Sequence, residues 1–194
     1  MNKTIEYFNE HAEKQFREAF AIKDHAMQDL FLSKVKPGGH ILDFGCGSGR
    51  DTEYFRSKGF TVEAADGSEE FCRLASEYLK QEVRCMEFSE LCAEDAYDGI
   101  FAQASIMHLP HDELRALFPK MIRALKKDGI LYASFKYGDF EGESHGRWFT
   151  YLKEDTIRAL AEDLPCEILE VGRSGLENEA LYGFSWIYLI LKKN

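Results

Sequence analysis

The residues best suited to chemistry lie in a glycine-rich segment from Asp43 to Gly49, with the sequence DFGCGSG. Glycine at every second position allows a tight turn and lets a ligand approach the backbone without meeting a Cβ atom. The segment follows a short apolar stretch and precedes a predicted helix, whose free N–H groups favour an anion such as a carboxylate. An ordinary turn between a strand and a helix has the same pattern, so the surrounding residues have to distinguish the two.

Asp66 ends the next predicted strand, where nucleotide-binding folds place the acceptor for ribose hydroxyls. An adenosine-type ligand is therefore expected. A dinucleotide fingerprint would need glycine at position 50, which is Arg50, and the carboxylate of Asp43 would repel a pyrophosphate. A ligand that offers a carboxylate to the loop and cationic groups to acidic residues fits better. S-adenosylmethionine has both, and it is the predicted cofactor.

The sequence gives fewer indications of where the methyl acceptor binds. Displacement at a sulfonium needs alignment of the reactants and requires a base only if the acceptor must lose a proton. His108 follows the fourth predicted strand and is the candidate base or acceptor-orienting group. A structural histidine is the alternative at such a junction. Tyr7, Phe16 or Trp148 could stabilise the sulfonium by a cation–π contact, with packing in the core as the alternative for the first two. Cys46 is interpreted as a small filling residue rather than a nucleophile.

The elements that position these residues begin with two predicted helices in residues 1–35, where apolar residues recur at spacings of three and four. From residue 38 onward strands alternate with helices, which indicates βαβ units and a mostly parallel sheet. Pro119 is expected to kink or split the helix that contains it. The predicted strands are His40–Phe44, Thr61–Ala65, Val83–Met86, Gly99–Ala102, Ile130–Phe135, Cys166–Val171 and Gly183–Leu191.

The last predicted strand, Gly183–Leu191, is apolar at nearly every position. A strand of this kind is covered on both faces, so we expect it to lie inside the sheet rather than at an edge. The connection SGLENEALYG before it suits an antiparallel return. The predicted fold is α/β, a doubly wound and mostly parallel seven-stranded sheet with an antiparallel last strand. One domain is expected over 1–194, with a helical lid at 1–35 and the sheet core at 38–194.

Composition narrows the function classes. The 194 residues carry a formal net charge of −10 and contain no run of Lys or Arg, so neither nucleic acid nor an anionic membrane surface is an expected partner. The five cysteines form no C-x-x-C pair and none lies at zinc-ligand spacing from a histidine, so no metal site is predicted. Free thiols and a charged N-terminus without an apolar leader predict a cytoplasmic protein. A monomer or homodimer is expected.

Taken together, these motifs resemble the class I S-adenosylmethionine-dependent methyltransferases. ILDFGCGSGRDT is similar to the first motif of that family, and AADGSEEFCRLA to the acid of the second strand with its following helix. MEFSEL resembles the end of the family's third strand. The regions of its fourth and fifth strands are resembled by DGIFAQASIMHLPHDEL and LKKDGILYASFK, and its lid helix is resembled by YFNEHAEKQF. Within the family the chain is most similar to small bacterial enzymes of the tellurite-resistance or ubiquinone-biosynthesis-like type.

The resemblance implies a Rossmann-like methyltransferase fold and a role for each matched residue. Gly45, Cys46, Gly47 and Arg50 would line the methionine moiety. Asp66 would bind the ribose hydroxyls, with Gly67 and Ser68 beside it. The resemblance also implies that Glu87 and Phe88 meet the adenine and that Ala104 and Ser105 lie below the sulfonium. Many members carry Asp where this chain has Glu87.

A small-molecule acceptor is expected, because the sequence after the fourth strand, AQASIMH, lacks the N-P-P-Y-type stretch of amino-methylating nucleic-acid enzymes. The expected walls of its site are the N-terminal helix with His11, the segment Ser105–His108, and a mobile lid over Lys136–Phe149. Two alternatives stay open at this point. One is a non-catalytic module that binds the cofactor or supports a partner, and the other is a nicotinamide dehydrogenase, with which Arg50 and Asp43 conflict.

Overall fold

The computed structural model describes residues 2–21, 23–176 and 183–194. The helices of this part are α1 (Lys3–Ala19), α2 (Ala26–Leu32), α3 (Arg50–Ser57), α4 (Glu69–Leu79), α5 (His111–Ala124) and α6 (Glu154–Ala159). The strands are β1 (His40–Phe44), β2 (Thr61–Asp66), β3 (Arg84–Cys85), β4 (Tyr97–Ala102), β5 (Leu125–Lys136), β6 (Glu141–Ser144), β7 (Arg147–Thr150), β8 (Cys166–Ser174) and β9 (Trp186–Lys193).

Seven of these strands form one sheet in the order β3-β2-β1-β4-β5-β9-β8. The first five are parallel, while β9 runs antiparallel to both β5 and β8. The prediction that the last strand lies inside the sheet is confirmed. Its residues Ile187 to Leu191 are buried, because side chains cover both faces of a central strand. Most of the connection that precedes it, residues 177–182, lies outside the described residues.

Helices pack on both faces of the sheet, as the doubly wound prediction requires. On one face α5 and α6 cover alternate strand residues such as Leu42 and Ile100. On the other face α2 and α3 cover Ile41 and Phe101, with Phe31 of α2 wholly buried. Neighbouring residues of a strand point to opposite faces, so each central strand needs apolar side chains at nearly every position. This requirement explains the uninterrupted apolar runs in the sequence.

Two local expectations are wrong. The helix α5 runs unbroken through Pro119, so the expected split is wrong, while the alternative of a kink stays a prediction. Proline has no N–H, so the carbonyl of Arg115 has no helical donor at position 119. Both residues lie on the exposed side of α5, where water can solvate this carbonyl. The segment 136–149, expected to be a loop, contains β6 and most of β7, which pair as an antiparallel hairpin. Its mobility as a lid stays a prediction.

No helix in the described ranges combines the length and the apolar composition that crossing a membrane requires.

Candidate functional site

A cavity of about 200 Å³ lies over the carboxyl ends of β1, β2, β3 and β4. The strand order reverses direction between β1 and β4, and open α/β sheets bind ligands at such a switch point. Ten residues predicted from the sequence line this cavity: Gly45, Gly47, Asp66, Gly67, Ser68, Glu87, Phe88, Ala104, Ser105 and His108. Residues from four separate segments of the chain therefore meet in one place.

The glycine loop requires glycine for two different reasons. At Gly45 φ is +86°, and a Cβ atom there would lie 2.4 Å from Cβ of Ser105. The hydroxyl of Ser105 donates to the carbonyl of Phe44 at 2.7 Å, which holds the ends of β4 and β1 together. At Gly47 φ is +50°, but a Cβ atom there would meet nothing within 4 Å. The space in front of Gly47 is open to a ligand, whereas the space at Gly45 is filled by the protein.

Asp66 is the acidic group of the cavity. Its Oδ2 accepts from the backbone N–H of Gly47 at 2.9 Å, and its Oδ1 accepts from the N–H of Ser68 at 2.9 Å. Burial raises the pKa of Asp66, and the backbone hydrogen bonds from Ser68, Gly47 and Gly67 oppose that rise. The carboxylate therefore ties the glycine loop to the end of β2 and presents acceptor oxygens to the cavity.

The residues after β3 form a short 3₁₀ turn, Phe88–Glu90. The backbone N–H of Glu87 donates to the carboxylate of Glu90 at 2.7 Å, so this donor is engaged within the turn. The ring of Phe88 packs edge-on against Phe44, with ring centroids 4.8 Å apart. Phe88 thus provides an apolar wall beside the glycine loop.

Ala104 occupies a backbone conformation that a side chain disfavours. Its φ is +51°, and its N–H donates to the hydroxyl of Ser134 on β5 at 2.9 Å. Residues held at positive φ are often found at functional sites, where the surrounding structure fixes them. Here the neighbouring strand supplies the hydrogen bond that fixes the turn after β4.

The N-terminal helix α1 forms the roof of the cavity, and most of its contacts there were not predicted. The roof residues are Asn2, Thr4, Ile5, Phe8 and Gln15. The apolar spacing of the first helix predicted a buried face that includes Ile5 and Phe8, but it did not identify the polar members. Asn9 fixes the helix over the sheet, because its Oδ1 accepts from the hydroxyl of Ser68 at 2.7 Å.

His108 is nine-tenths buried and borders the cavity from the 3₁₀ turn Ile106–His108. Its Nδ1 lies 2.7 Å from the carbonyl oxygen of Trp148. A carbonyl can only accept, so Nδ1 carries the proton and Nε2 of the neutral ring is an acceptor. Burial lowers the pKa of His108 to about 4, and the charges of Arg147 and Lys136 act in the same direction. The ring is therefore neutral at physiological pH.

Four residues predicted at the cofactor site do not line the cavity. Tyr7 lies on another side of α1. Its ring stacks on that of His11, with ring centroids 4.0 Å apart, and the guanidinium carbon of Arg147 lies 4.4 Å from its centroid. Arg50 pairs with Asp51 at 2.8 Å and turns toward the carbonyl of Ala19. Sequence spacing places these side chains near the loop but does not fix the direction in which they point.

The other two, Asp43 and Cys46, lie behind the glycine loop. The carboxyl of Asp43 accepts from the hydroxyl of Thr52 at 2.6 Å. Burial, with the nearby Asp51 charge, raises the pKa of Asp43 to about 8. Cys46 packs against Ala64 and Ala75, and burial raises the pKa of its thiol well above the usual value. A thiol without a thiolate fits the interpretation of Cys46 as a filling residue.

Comparison with known proteins supports one family. Residues 41–129, which run from β1 into β5 and include the glycine loop and Asp66, match the family model of a methyltransferase domain. This match supports the assignment of the chain to the class I S-adenosylmethionine-dependent methyltransferase family. This assignment confirms the resemblance that the motifs indicated and makes the chain an enzyme of the methyltransferase class.

Individual relatives agree with the family assignment. An uncharacterized methyltransferase of Bacillus thuringiensis is 28% identical over 167 residues, which cover 84% of this chain and 76% of the relative. Two solved structures share the fold. The 1,6-didemethyltoxoflavin-N1-methyltransferase of Burkholderia thailandensis has a TM-score of 0.76 at 21% identity, covering 99% of this chain and 88% of the other. The magnesium protoporphyrin IX methyltransferase of Synechocystis has a TM-score of 0.73 at 19% identity, covering 97% of each.

Both solved methyltransferases contain bound S-adenosylhomocysteine, and the Burkholderia enzyme also contains 1,6-didemethyltoxoflavin. In this chain the cavity described above lies at the carboxyl ends of the strands.

Proposed function

We propose that the chain transfers a methyl group from S-adenosylmethionine to a small-molecule acceptor by direct displacement. The observation that carries the proposal is the open space in front of Gly47, where a Cβ atom would meet nothing within 4 Å, beside the acceptor oxygens of Asp66. The methionine end of a ligand can approach the loop backbone there without meeting a Cβ atom. The loop and Asp66 therefore fit a ligand whose methionine end lies on the glycine backbone and whose ribose hydroxyls donate to the carboxylate.

The residues of the cavity divide the cofactor between them. Gly45 and Gly47 would hold the methionine moiety, and Asp66, with Gly67 and Ser68, would accept hydrogen bonds from the ribose hydroxyls. Glu87 and Phe88 would meet the adenine: since the N–H of Glu87 is engaged by Glu90, the ring of Phe88 and later backbone groups of the turn carry this contact. Ala104 and Ser105 would lie on the side of the sulfonium.

When bound, S-adenosylmethionine supplies an activated methyl group: the acceptor's nucleophile bonds to the methyl carbon, the electron pair of the S–CH₃ bond stays on sulfur, and any proton leaves to solvent. The protein's contribution is alignment and exclusion of water. His108 would orient the acceptor, because its neutral Nε2 can accept from an N–H or O–H group. With a pKa of about 4 the ring is a weak base, so the orienting role is favoured over proton removal.

A small acceptor is supported by the position of α1, because its residues Thr4, Ile5 and Phe8, together with the N-cap Asn2, roof the cavity. The Burkholderia neighbour holds bound 1,6-didemethyltoxoflavin on the same fold. The net charge of −10 disfavours a nucleic-acid acceptor. Five free thiols support the proposed cytoplasmic location.

The test is transfer of label from S-adenosyl-L-[methyl-³H]methionine to a panel of small metabolites, compared with RNA and with protein substrates. We expect label in one or more small molecules and none above background in the macromolecules. Label in RNA or protein alone would overturn the small-molecule proposal. Binding of S-adenosylhomocysteine without transfer to any acceptor would favour the non-catalytic module instead.

A further inference from the structure

A second cavity of about 320 Å³, called here the side cavity, lies next to the cofactor cavity. The two share five lining residues: Asn2, Thr4, His108, Leu109 and Glu113. The rest of the wall of the side cavity consists of Lys3, Pro110, Glu143, Gly146, Arg147 and Trp148. Because His108 borders both spaces, a molecule in the side cavity would lie directly beside a molecule in the cofactor cavity.

The β6–β7 hairpin forms one wall of the side cavity and is fixed in place by hydrogen bonds. The N–H of Trp148 donates to the hydroxyl of Thr4 at 2.9 Å, and the carbonyl of Trp148 accepts from His108. The hydroxyl of Thr150 donates to the carbonyl of Leu109 at 2.7 Å. The hairpin is therefore attached both to α1 and to the turn after β4, and its side chains have defined positions at the cavity.

Arg147 on β7 sets the chemical character of the side cavity. Its guanidinium carbon lies 4.4 Å from the ring centroid of Tyr7, 5.0 Å from that of Phe149 and 5.8 Å from that of Phe8, so three aromatic rings hold it. Within the described ranges no carboxylate pairs with it, and its buried Nε has no hydrogen-bond partner. Lys3, by contrast, is paired with Glu143 at 3.0 Å. The wall thus offers a positioned guanidinium whose hydrogen-bonding capacity is unused.

We propose that the side cavity binds the methyl acceptor and that this acceptor carries a carboxylate that pairs with Arg147; the inference rests on the proposed function above. The planar guanidinium matches the two oxygens of a carboxylate. The N-termini of α1 and α5 also border this cavity, through Thr4 and Glu113, and helix N-termini favour negative charge. The carboxylates of Glu113 and Glu143 on the same wall oppose a dianion such as a phosphate more strongly than a monoanion.

The experiment uses the full chain saturated with S-adenosylhomocysteine and two matched probes, 2-hydroxybenzoate and 2-hydroxybenzamide, which differ in the carboxylate. The chain has two tryptophans, so the indole N–H signal of Trp148 can be assigned by NMR with W148F and followed in titrations. We expect 2-hydroxybenzoate to shift this signal with a Kd at least tenfold lower than that of the amide. In R147Q and R147M the preference should fall below twofold.

R115Q is the control, because Arg115 lies on the exposed side of α5 and its loss removes the same charge from outside the cavity. It should retain the tenfold preference, and all variants should bind S-adenosylhomocysteine as the unmodified chain does. Equal binding of the two probes, no response to either, or a preference that survives in R147Q would overturn the inference. The comparison on the unmodified chain decides the preference even if a variant fails to fold. Failure of S-adenosylhomocysteine itself to bind would instead overturn the proposed function.

Discussion

A methyl group added at Gly47 tests the proposed cofactor contact at a single atom. A Cβ atom there would meet no protein atom within 4 Å, so G47A introduces no clash into the protein itself. The backbone, however, has a φ of +50°, which costs an L residue about 1–2 kcal/mol. We therefore expect a drop in Tm of roughly 2–8 °C in the ligand-free protein.

The effect of G47A on ligand binding should be larger than this stability loss explains. The new methyl group would occupy the open space in front of the loop and would displace the ligand from its contacts with the loop and with Asp66. Loss of one hydrogen bond to a charged group corresponds to about 1.5–3 kcal/mol, or roughly a 10- to 150-fold higher Kd for S-adenosylhomocysteine. Isothermal titration calorimetry measures this change directly.

Gly59 provides a matched control for this substitution. Its φ is +87° and a Cβ atom there would also meet nothing within 4 Å, but it follows the C-terminal end of α3 on the exposed surface. G59A should therefore lower the Tm at least as much as G47A and leave the Kd unchanged. Equal Kd values for G47A, G59A and the unmodified chain would refute the assignment of the glycine loop to the cofactor.

Three further predictions concern the same region. D66A should raise the Kd for S-adenosylhomocysteine at least tenfold, since a charged acceptor is lost; an unchanged Kd in calorimetry would remove Asp66 from the site. S105A should lower the free energy of unfolding in urea by about 1–2 kcal/mol, because the buried carbonyl of Phe44 loses its donor, and no change in the urea midpoint would contradict this. His108 has a pKa of about 4 in the folded protein, below its unfolded value, so its contribution to the free energy of unfolding is present above pH 6.5 and is lost as the pH falls toward 4. This loss amounts to about 3 kcal/mol. H108N should reduce the fall in the free energy of unfolding between pH 6.5 and pH 4, and an equal fall in H108N and the unmodified chain would refute the environment assigned to the ring.

Short-range patterns in the sequence were sufficient for the sheet and for the floor of the site. The glycine loop and the N-cap Ser68 follow strand ends and Asp66 is the last residue of β2, so their backbone positions are determined by local structure. The hydroxyl of Ser68 accepts from the N–H of Phe71 at 3.2 Å, as expected for the start of α4. The apolar run at the C-terminus likewise predicted a strand covered on both faces, which is where β9 lies.

The hairpin was not predicted because it depends on contacts between distant segments. The polar, glycine-spaced residues before Phe149 suggested a loop, whereas the hydrogen bonds that fix the hairpin come from Thr4 and His108, far away in the sequence. The directions of Asp43 and Arg50 depend on side chains close to them in the sequence, Thr52 and Asp51. Neither pairing follows from the spacing of the glycines.

The most direct test of the proposed cofactor site is a calorimetric titration of the full chain with S-adenosylhomocysteine, with NADH titrated in parallel. We expect saturable binding of one S-adenosylhomocysteine per chain and no heat of binding from NADH. Absence of S-adenosylhomocysteine binding up to millimolar concentration, or saturable binding of NADH in its place, would contradict the central claim that the cavity beside Gly47 and Asp66 holds S-adenosylmethionine.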